Sequence, residues 1–339
     1  MQKYLKDIAL TFDDILLVPQ TSSIASRKNI ELSMHGYQLP IISSPMDTVT
    51  EHLMASAIAN LGGIGIIHRY MDQSKQIQEL KLALNLTNQP NGVGVAISSK
   101  DAFDPLYIEN ILSTGCTLIC IDTANGHSTA PLEAVNELKT KYPNMRVMVG
   151  NIATKEGYKA LALAGADMIR VGIGGGSVCT TRIVTGHGLP TLQSILDCKA
   201  VKEELNLTSL IVADGGIRNS GDIVKAFAAG ADLVMLGSML AGTDQSPGTV
   251  INGFKSYRGM ASKEAQKDWR DTVSVEEGIS TTVAYKGDLR DVIEQIVKGL
   301  QSGCSYSGVN NLKELHQSAL YVLASPSSVR ESHPHGKLG

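Results

Sequence analysis

Short apolar runs alternate with longer amphipathic stretches along most of this chain, and this alternation constrains the fold more than any other feature. Eight runs of four residues lack the polar alternation of half-exposed strands, a pattern typical of parallel strands buried on both faces. They lie at residues 40–43, 64–67, 93–96, 118–121, 147–150, 168–171, 210–213 and 233–236. The intervening stretches predict helices over residues 50–61, 73–85, 103–114, 130–141, 155–164, 191–205, 219–229 and 288–301. Eight such units favour an α/β fold closed into a (β/α)8 TIM barrel over an open, doubly wound sheet.

A repeated sequence pattern supports the barrel. Residues 164–172 and 229–237 both read Ala-Gly-Ala-Asp, then an apolar run, then Gly, and residues 114–122 are a looser copy. In each copy a Gly is suited to end a helix just before a buried strand begins. No linker divides the 339 residues, so we expect one catalytic domain over 1–339. We expect mobile loops, which include an active-site cysteine loop and a flap, at about 174–190 and 256–287, and a flexible tail at about 326–339.

The composition excludes several classes of protein. A formal net charge of −3 and a mean hydropathy of +0.02 give no reason to expect nucleic acid or a membrane surface as a partner. No apolar run approaches the roughly 18 residues of a membrane span, and the first residues lack the apolar stretch of a signal peptide. Five cysteines are too few, and odd in number, for a disulfide framework, so we expect a reducing, cytoplasmic location.

Small, polar and acidic residues follow six of the predicted strands. They occupy residues 43–47, 122–126, 150–151, 172–182, 214–217 and 237–238. Turn chemistry would explain any one of these loops, because Gly, Asp, Asn and Ser are common in turns. The active sites of (β/α)8 barrels form at the carboxyl ends of the strands, and so many polar loops at that end predict a functional site there.

The glycine-rich segment 172–177 is a candidate phosphate-binding loop. It matches neither the Walker pattern nor the dinucleotide fingerprint, which would require Gly at the position of Ser177. It offers a run of backbone N–H groups without β-carbons, beside a hydroxyl, and this suits an anion. Segments 214–217 and 237–238 complete the usual phosphate position of these barrels. Tight turning alone is the alternative, and Asp214 suits ribose hydroxyls better than an anion.

Cys179 is the candidate nucleophile because it lies in a flexible-backbone loop beside Arg182. A nearby cation or oriented N–H groups would favour the thiolate, although a structural role is equally open. The other four cysteines are expected to be inert, and no Cys or His spacing indicates a metal site. After the eighth strand, Glu277 beside Gly278 could act as an acid or base under a closed flap. A solvated surface excursion is the alternative for that segment.

Together these segments resemble the inosine-5′-monophosphate (IMP) dehydrogenase and guanosine-5′-monophosphate (GMP) reductase family. The resemblance covers nearly the whole chain, from residue 11 to residue 333. It is carried by Ser-Ser-Pro-Met-Asp-Thr-Val-Thr at 43–50, Gly-Gly-Ile-Gly-Ile-Ile-His at 62–68, the Cys179 loop, Asp-Gly-Gly-Ile at 214–217, Tyr-Arg-Gly-Met at 257–260 and Tyr-Lys-Gly at 285–287. It implies a TIM barrel that assembles as a homotetramer and forms a thioimidate between Cys179 and purine C2.

Within this family the sequence is more similar to the reductases. Residues 68–93 leave no room for the regulatory CBS modules that dehydrogenases usually carry. The Arg-Tyr pair of the dehydrogenase flap, whose Arg activates water, is absent between residues 260 and 277, and segment 122–126 looks like the reductase cofactor loop. Gly175 in place of the usual Pro, Arg69 where Lys is common, and the dehydrogenase-like segment 331–335 point the other way.

The resemblance therefore implies NADPH-dependent reductive deamination of GMP to IMP and ammonia. The closest alternative is a CBS-less IMP dehydrogenase that uses NAD, with Arg270 replacing the missing pair. A flavin-dependent barrel oxidoreductase and a non-catalytic purine-nucleotide sensor are further alternatives.

The same resemblance implies a role for each candidate residue. The catalytic residues are Cys179, Thr181 and Glu277. The purine mononucleotide is expected to contact Ser44, Met46, Ser177, Asp214, Gly215, Gly216, Gly237, Ser238, Tyr257, Gly259 and Met260. The cofactor side is assigned to Asp122, Thr123, Ala124 and Asn125. A K⁺ ion, as in some family members, would bind backbone carbonyls of Gly172, Gly174 and Cys179.

Overall fold

A computed structural model describes residues 8–269, 273–332 and 334 of the chain. Its strands are Ile15–Leu17 (β1), Ile41–Ser43 (β2), Ile64–Ile67 (β3), Val93–Ile97 (β4), Leu118–Asp122 (β5), Arg146–Ile152 (β6), Met168–Val171 (β7), Leu210–Asp214 (β8), Leu233–Leu236 (β9), Phe254–Arg258 (β10), Ser280–Ala284 (β11) and Tyr321–Leu323 (β12). Strands β2 to β9 pair in sequence order, all parallel. Ile42 of β2 lies opposite both Ile64 and Met235, so the first strand meets the last and the barrel closes. The predicted TIM barrel is confirmed.

Helices alternate with the barrel strands and surround them. They are His52–Asn60 (α1), Gln73–Asn85 (α2), Pro105–Ser113 (α3), Thr129–Lys141 (α4), Lys155–Leu163 (α5), Thr181–Thr185 (α6), Thr191–Glu204 (α7), Ser220–Ala229 (α8), Lys263–Trp269 (α9), Leu289–Tyr306 (α10), Leu312–Ser318 (α11) and Pro326–Glu331 (α12). Short 3-10 helices occupy Phe12–Asp14, Arg27–Asn29, Pro90–Gly92 and Asp101–Phe103. Each of the eight predicted helices is present. A membrane crossing would need a longer and more apolar helix than any in the described residues.

The barrel strands are buried on both faces, which explains their lack of polar alternation. One face fills the barrel interior with aliphatic side chains and Met, and the other packs against the surrounding helices. At the repeated pattern the helix-ending glycines have left-handed backbones, with φ of +96° at Gly165 and +118° at Gly230. The sequence repeat therefore marks two equivalent turns between a helix and the next buried strand.

The segment after the last barrel strand contains more regular structure than the sequence pattern indicates. Strands β10 and β11 form an antiparallel hairpin, and α9 lies between them in the chain. Side chains of β10 alternate between exposed and buried, so this strand lacks the continuous apolar run by which the barrel strands were recognised. Likewise, β1 and β12 pair with each other outside the barrel and were not predicted.

Candidate functional site

A cavity of about 510 Å³ opens at the carboxyl ends of the barrel strands. This volume lies within the range of small-molecule sites. Among the predicted residues, the wall includes Ser44, Met46, Asp122, Thr123, Ala124, Gly172, Gly174, Ser177, Cys179, Thr181, Asp214, Gly215, Gly216, Gly237, Ser238, Tyr257, Gly259, Met260 and Glu277. The six polar loops thus converge on one cavity, as the barrel topology requires.

Cys179, Thr181 and Glu277 form a continuous hydrogen-bonded chain. The Cys179 Sγ lies 3.2 Å from Thr181 Oγ1, to which the thiol donates. The Thr181 hydroxyl donates in turn to Glu277 Oε2 at 2.8 Å. A hydroxyl between a thiol and a carboxylate can accept a proton from one side while it donates to the other. The arrangement can therefore move a proton between the sulfur side of the cavity and the carboxylate.

Backbone hydrogen bonds hold these two segments together. The Thr180 N–H donates to the Glu277 carbonyl at 3.0 Å, and the Ile279 N–H donates to the Val178 carbonyl at 3.0 Å. A β-carbon added at Gly259 would lie 2.9 Å from the Val178 carbonyl oxygen, so glycine is needed for this close approach. Residues 96 positions apart in the chain are thereby fixed within hydrogen-bond distance.

Ser177 and the loops after β8 and β9 form another part of the cavity wall. Gly215 and Gly216 have φ of +88° and +80°, a left-handed backbone that side chains disfavour and that turns successive N–H groups toward one concavity. The Ser177 hydroxyl lies 3.4 Å from the Tyr257 hydroxyl. Burial raises the pKa of Tyr257, which keeps its phenol neutral and able to donate. This region has the donors that a phosphate requires.

Asp214 and Asp122 are joined by a buried arginine that sequence reasoning did not single out. The Arg170 guanidinium donates to Asp214 Oδ2 from Nε (3.1 Å) and Nη2 (2.9 Å), and to Asp122 Oδ1 from Nη1 (2.6 Å). Asn151 Nδ2 also donates to Asp214 Oδ2 at 2.8 Å, and Arg69 Nε donates to Asp122 Oδ2 at 3.2 Å. A charge within the apolar run 168–171 was the available signal, because a doubly buried arginine requires anionic partners.

The neighbouring opposite charges determine the ionisation of Asp122 and Arg170. Burial alone would raise the pKa of Asp122, but the positive charges of Arg170 and Arg69 outweigh it and hold that pKa below its ordinary value. Burial would likewise lower the pKa of Arg170, whereas Asp214 and Asp122 raise it well above the ordinary value. Both aspartates are held in place by these hydrogen bonds, and both line the cavity.

Two of the predicted binding residues make hydrogen bonds within the protein. Asn125 is absent from the cavity wall, and its side chain accepts from the His127 N–H at 3.1 Å. The Gly172 carbonyl, one of the proposed K⁺ ligands, accepts from Asn151 Nδ2 at 2.8 Å. Across residues 8–269 and 273–332, no cluster of three His, Cys, Asp or Glu side chains could hold a metal ion. The alternative role of Arg270 falls outside the described residues, as do parts of the flap and tail.

The remaining four cysteines are buried. Burial raises the pKa of Cys116 to about 11 and the pKa values of Cys120 and Cys304 to about 12. It also raises the pKa of Cys198 above its ordinary value. These thiols stay protonated at neutral pH and are poor nucleophiles, as expected from the sequence. Cys179 is half-buried and lies in the cavity wall.

A closed parallel barrel with a cysteine loop and a polar mouth defines a barrel enzyme, and comparison with known proteins specifies its family. The family model for the IMP dehydrogenase / GMP reductase domain matches residues 9–335. The chain belongs to this family of oxidoreductases, whose members act on purine mononucleotides with a nicotinamide cofactor.

Relatives with either name are similar to the chain. It is 40% identical to an inosine-5′-monophosphate dehydrogenase of Borreliella burgdorferi over 401 residues, which cover 96% of each chain. It is 39% identical to the corresponding enzyme of Cryptosporidium parvum, over 96% of this chain and 94% of the other. A crystal structure of a Cys-to-Ala variant of GMP reductase from Trypanosoma brucei, in complex with GMP, superposes with a TM-score of 0.89 at 29% identity, covering 98% of both chains.

Proposed function

We propose that the chain is a GMP reductase, which converts GMP to IMP and ammonia with NADPH. The observation that carries the proposal is the hydrogen-bonded chain from Cys179 through Thr181 to Glu277 at the cavity wall. The replacement of an amino group on the purine ring requires a nucleophile and a proton donor. The Cys179 thiol and the Glu277 carboxylate, joined by the Thr181 hydroxyl, can supply them. The thiolate attacks the ring, and the relay delivers a proton to the leaving nitrogen.

The mononucleotide binds across the loops after β7, β8 and β9. Its phosphate meets the N–H groups of Gly216 and Gly237 and the hydroxyls of Ser177 and Tyr257, which line the cavity. Its ribose hydroxyls donate to Asp214, whose hydrogen bonds from described residues all end on Oδ2 and leave Oδ1 available. The purine then lies over the backbone of Gly259 and Met260, within reach of Cys179.

The chemical step uses the relay in both directions. The Cys179 thiolate attacks C2 of GMP, and a proton supplied through Thr181 and Glu277 lets the amino group leave as ammonia, which produces a thioimidate on sulfur. NADPH, when bound, supplies a hydride to C2. The C–S bond then breaks, so that IMP departs and Cys179 is again a thiolate.

The cofactor half of the cavity fits a nicotinamide group. Asp122, Thr123 and Ala124 line the wall next to the purine position, with Arg69 and Tyr70 beside them. Asp122 is fixed by Arg69 and Arg170 and can accept from a carboxamide. A K⁺ ion on the carbonyls of Gly172, Gly174 and Cys179 belongs to the same proposal.

IMP dehydrogenase is the second candidate, favoured by the names of the relatives that are 40% and 39% identical. That reaction needs a base that activates water to hydrolyse the thioimidate. Among the described residues of the flap segment 256–287, Arg258 is the arginine, and it is already paired with carboxylates. It donates to Asp47 Oδ2 from Nε (3.0 Å) and Nη2 (2.5 Å), and lies 2.7 Å from Asp268 Oδ2 through Nη1.

A parallel assay separates the two reactions. The chain is given GMP with NADPH, or IMP with NAD, and the nicotinamide absorbance is followed together with ammonia release. We expect NADPH oxidation with one ammonia per turnover, and no NAD reduction. Turnover of IMP with NAD alone would establish the dehydrogenase instead.

The Cys179→Ala variant tests the covalent step. It should bind GMP and show no NADPH oxidation, because no other group in the wall can form the thioimidate. Cys304→Ala is the matched control, since Cys304 is buried in α10 and should keep the activity. Retained turnover in Cys179→Ala would exclude the covalent mechanism.

A further inference from the structure

Lys286 contacts the loop that follows β9 and is not among the residues that line the cavity. Its ammonium donates to the carbonyls of Ser238 (2.6 Å), Met239 (3.1 Å) and Ala241 (2.8 Å). These three bonds use all the donors of the ammonium group. No carboxylate within the described residues forms an ion pair with Lys286, so its charge is balanced by carbonyl dipoles alone.

The contacted carbonyls belong to a single helical turn. The N–H groups of Leu240 and Ala241 donate to the Gly237 carbonyl at 3.0 and 2.9 Å. In such a turn the carbonyls point toward one end and the free N–H groups toward the other. Lys286 therefore occupies the carbonyl end, while Gly237 and Ser238 line the cavity at the amide end. One isolated turn is unstable in water, and a cation at its carbonyl end stabilises it.

A second lysine, which is buried, makes the same type of contact on the next turn of the chain. Lys255 of β10 donates to the carbonyls of Thr243 (2.9 Å) and Ser246 (2.7 Å). This turn is closed by side chains of its own, since Ser246 Oγ donates to the Thr243 carbonyl at 2.8 Å. Neither Thr243 nor Ser246 lines the cavity. Lys255 and Lys286 thus anchor adjacent turns, of which one reaches the cavity.

We propose that Lys286 is a positioning residue for the phosphate of the purine mononucleotide, because it fixes the turn 237–241 with the amides of Gly237 and Ser238 toward the cavity. This inference rests on the proposed function, since it assumes a mononucleotide phosphate at this wall. Lys286 follows β11, and the segment just before β11 carries Glu277. The same stretch of chain therefore orients the phosphate loop with one residue and supplies the proton relay with another.

The test compares a nucleotide with its nucleoside. Affinities for GMP and guanosine are measured by calorimetry on the unmodified chain, Lys286→Met, Lys286→Gln and the matched control Lys255→Met. Lys286→Met should weaken GMP binding about tenfold and leave guanosine binding unchanged, because guanosine has no phosphate. Lys286→Gln should lose less of the affinity for GMP, because the uncharged amide can still donate hydrogen bonds to the carbonyls. Lys255→Met should lower thermal stability and leave both affinities unchanged.

Each outcome decides between positioning and other roles. Equal losses for GMP and guanosine would show a general structural role, and equal losses in Lys286→Gln and Lys286→Met would show a simple charge effect. Either result overturns the proposal. If the Lys286 variants do not fold, amide exchange on the unmodified chain replaces them, and GMP must protect the amides of 237–241 more than guanosine does. Absence of binding by GMP and IMP would overturn the proposed function as well.

Discussion

Thr181 is the residue on which the candidate chemistry depends most directly. It opens α6, directly after the cysteine loop, and its hydroxyl bridges Cys179 and Glu277. Without that oxygen the thiol and the carboxylate are separated by the width of a side chain. A proton can pass between them only through a group that both accepts and donates.

Replacing Thr181 by Val keeps the shape of the side chain and removes the relay. We expect the rate of deamination to fall about 100-fold, since positioned proton transfer contributes on this scale. Single-turnover release of ammonia from GMP is the measurement. Thr185→Val is the control, because Thr185 lies in the same helix and donates to the Thr181 carbonyl, at 2.8 Å. It should stay within about threefold of the unmodified rate, and a similar loss in both variants would contradict the relay.

At this scale the sequence predicted the reactive groups but not the charges that hold them. Cys179 stood out because it lies in a flexible-backbone loop beside Arg182, and Glu277 because it lies beside Gly278 in the predicted flap. The roles of Arg170 and Lys286 could not be assigned in this way, because both depend on partners that are distant in the sequence. Arg170 bonds to residues 48 and 44 positions away, and Lys286 bonds to a residue 48 positions away. Such pairings depend on strand register and loop geometry, which a single sequence does not specify.

The hairpin of β10 and β11 is the element that joins the flap to the barrel. One of its attachment points is Asp47 in the loop after β2, which is buried and accepts from Arg258 and from Trp269 Nε1 (3.1 Å). Arg258 also pairs with Asp268, whose side chain is exposed. A buried carboxylate and an exposed one thus share the same guanidinium.

The variants Asp47→Asn and Asp268→Asn form a matched pair, because each removes one carboxylate partner of Arg258. Their comparison measures how strongly the buried partner holds the hairpin. Asp47→Asn removes a buried charge and leaves Arg258 poorly paired, which should cost about 3 kcal/mol of unfolding free energy. Asp268→Asn breaks an exposed ion pair and should cost less than about 1 kcal/mol. Urea unfolding of both variants measures the difference. Equal effects would show that the attachment does not depend on the buried carboxylate.

Element boundaries show where sequence patterns are informative. The barrel strands were predicted to within a few residues, because burial on both faces leaves a continuous apolar signature. Helix α10 continues to Tyr306, beyond the predicted end at residue 301, since its apolar face continues through Cys304. Strands β10 and β11 were missed, because a two-stranded hairpin with one exposed face has no such signature.

In the whole molecule, the aspartates of the repeated Ala-Gly-Ala-Asp pattern make equivalent hydrogen bonds and ion pairs. These interactions join neighbouring strands and helices of the barrel. Asp232 accepts from the Ile211 N–H (2.7 Å) and Lys202 (2.6 Å) and pairs with His35. Asp167 accepts in the same way from the Val147 N–H (2.7 Å) and Lys139 (3.0 Å). Each aspartate therefore binds the preceding strand, β8 or β6, and the helix that comes before that strand, α7 or α4.

The interactions of Asp232 make the free energy of unfolding depend on pH in a defined direction. Burial alone would raise the pKa of Asp232, but His35 and Lys202 outweigh it and leave the pKa below its ordinary value. A carboxylate of this kind stabilises the fold above its unfolded-state pKa of about 3.9, and the stabilisation is lost as the pH falls through the folded-state value.

Asp232→Asn should therefore lower the unfolding free energy by about 3 kcal/mol at pH 7 and flatten its acid dependence below about pH 5. Asp167→Asn, the same change in the other copy, should cost about 1 kcal/mol, because the side chain of Asp167 is 38% exposed against 4% for Asp232. Urea titrations at several pH values provide the measurement. An unchanged acid limb in Asp232→Asn would contradict the assignment.

Arg170 also has a consequence for how strongly the two ligands of the proposed function affect each other's binding. One guanidinium compensates both Asp214 and Asp122, which in the proposed function contact the nucleotide and the cofactor respectively. A ligand hydroxyl that donates to Asp214 competes with Arg170 for the negative charge of that carboxylate. This competition changes the electrostatic field at Asp122. Thermodynamic reciprocity then requires that each ligand alter the affinity of the other by the same factor. The two halves of the mouth are energetically a single binding unit.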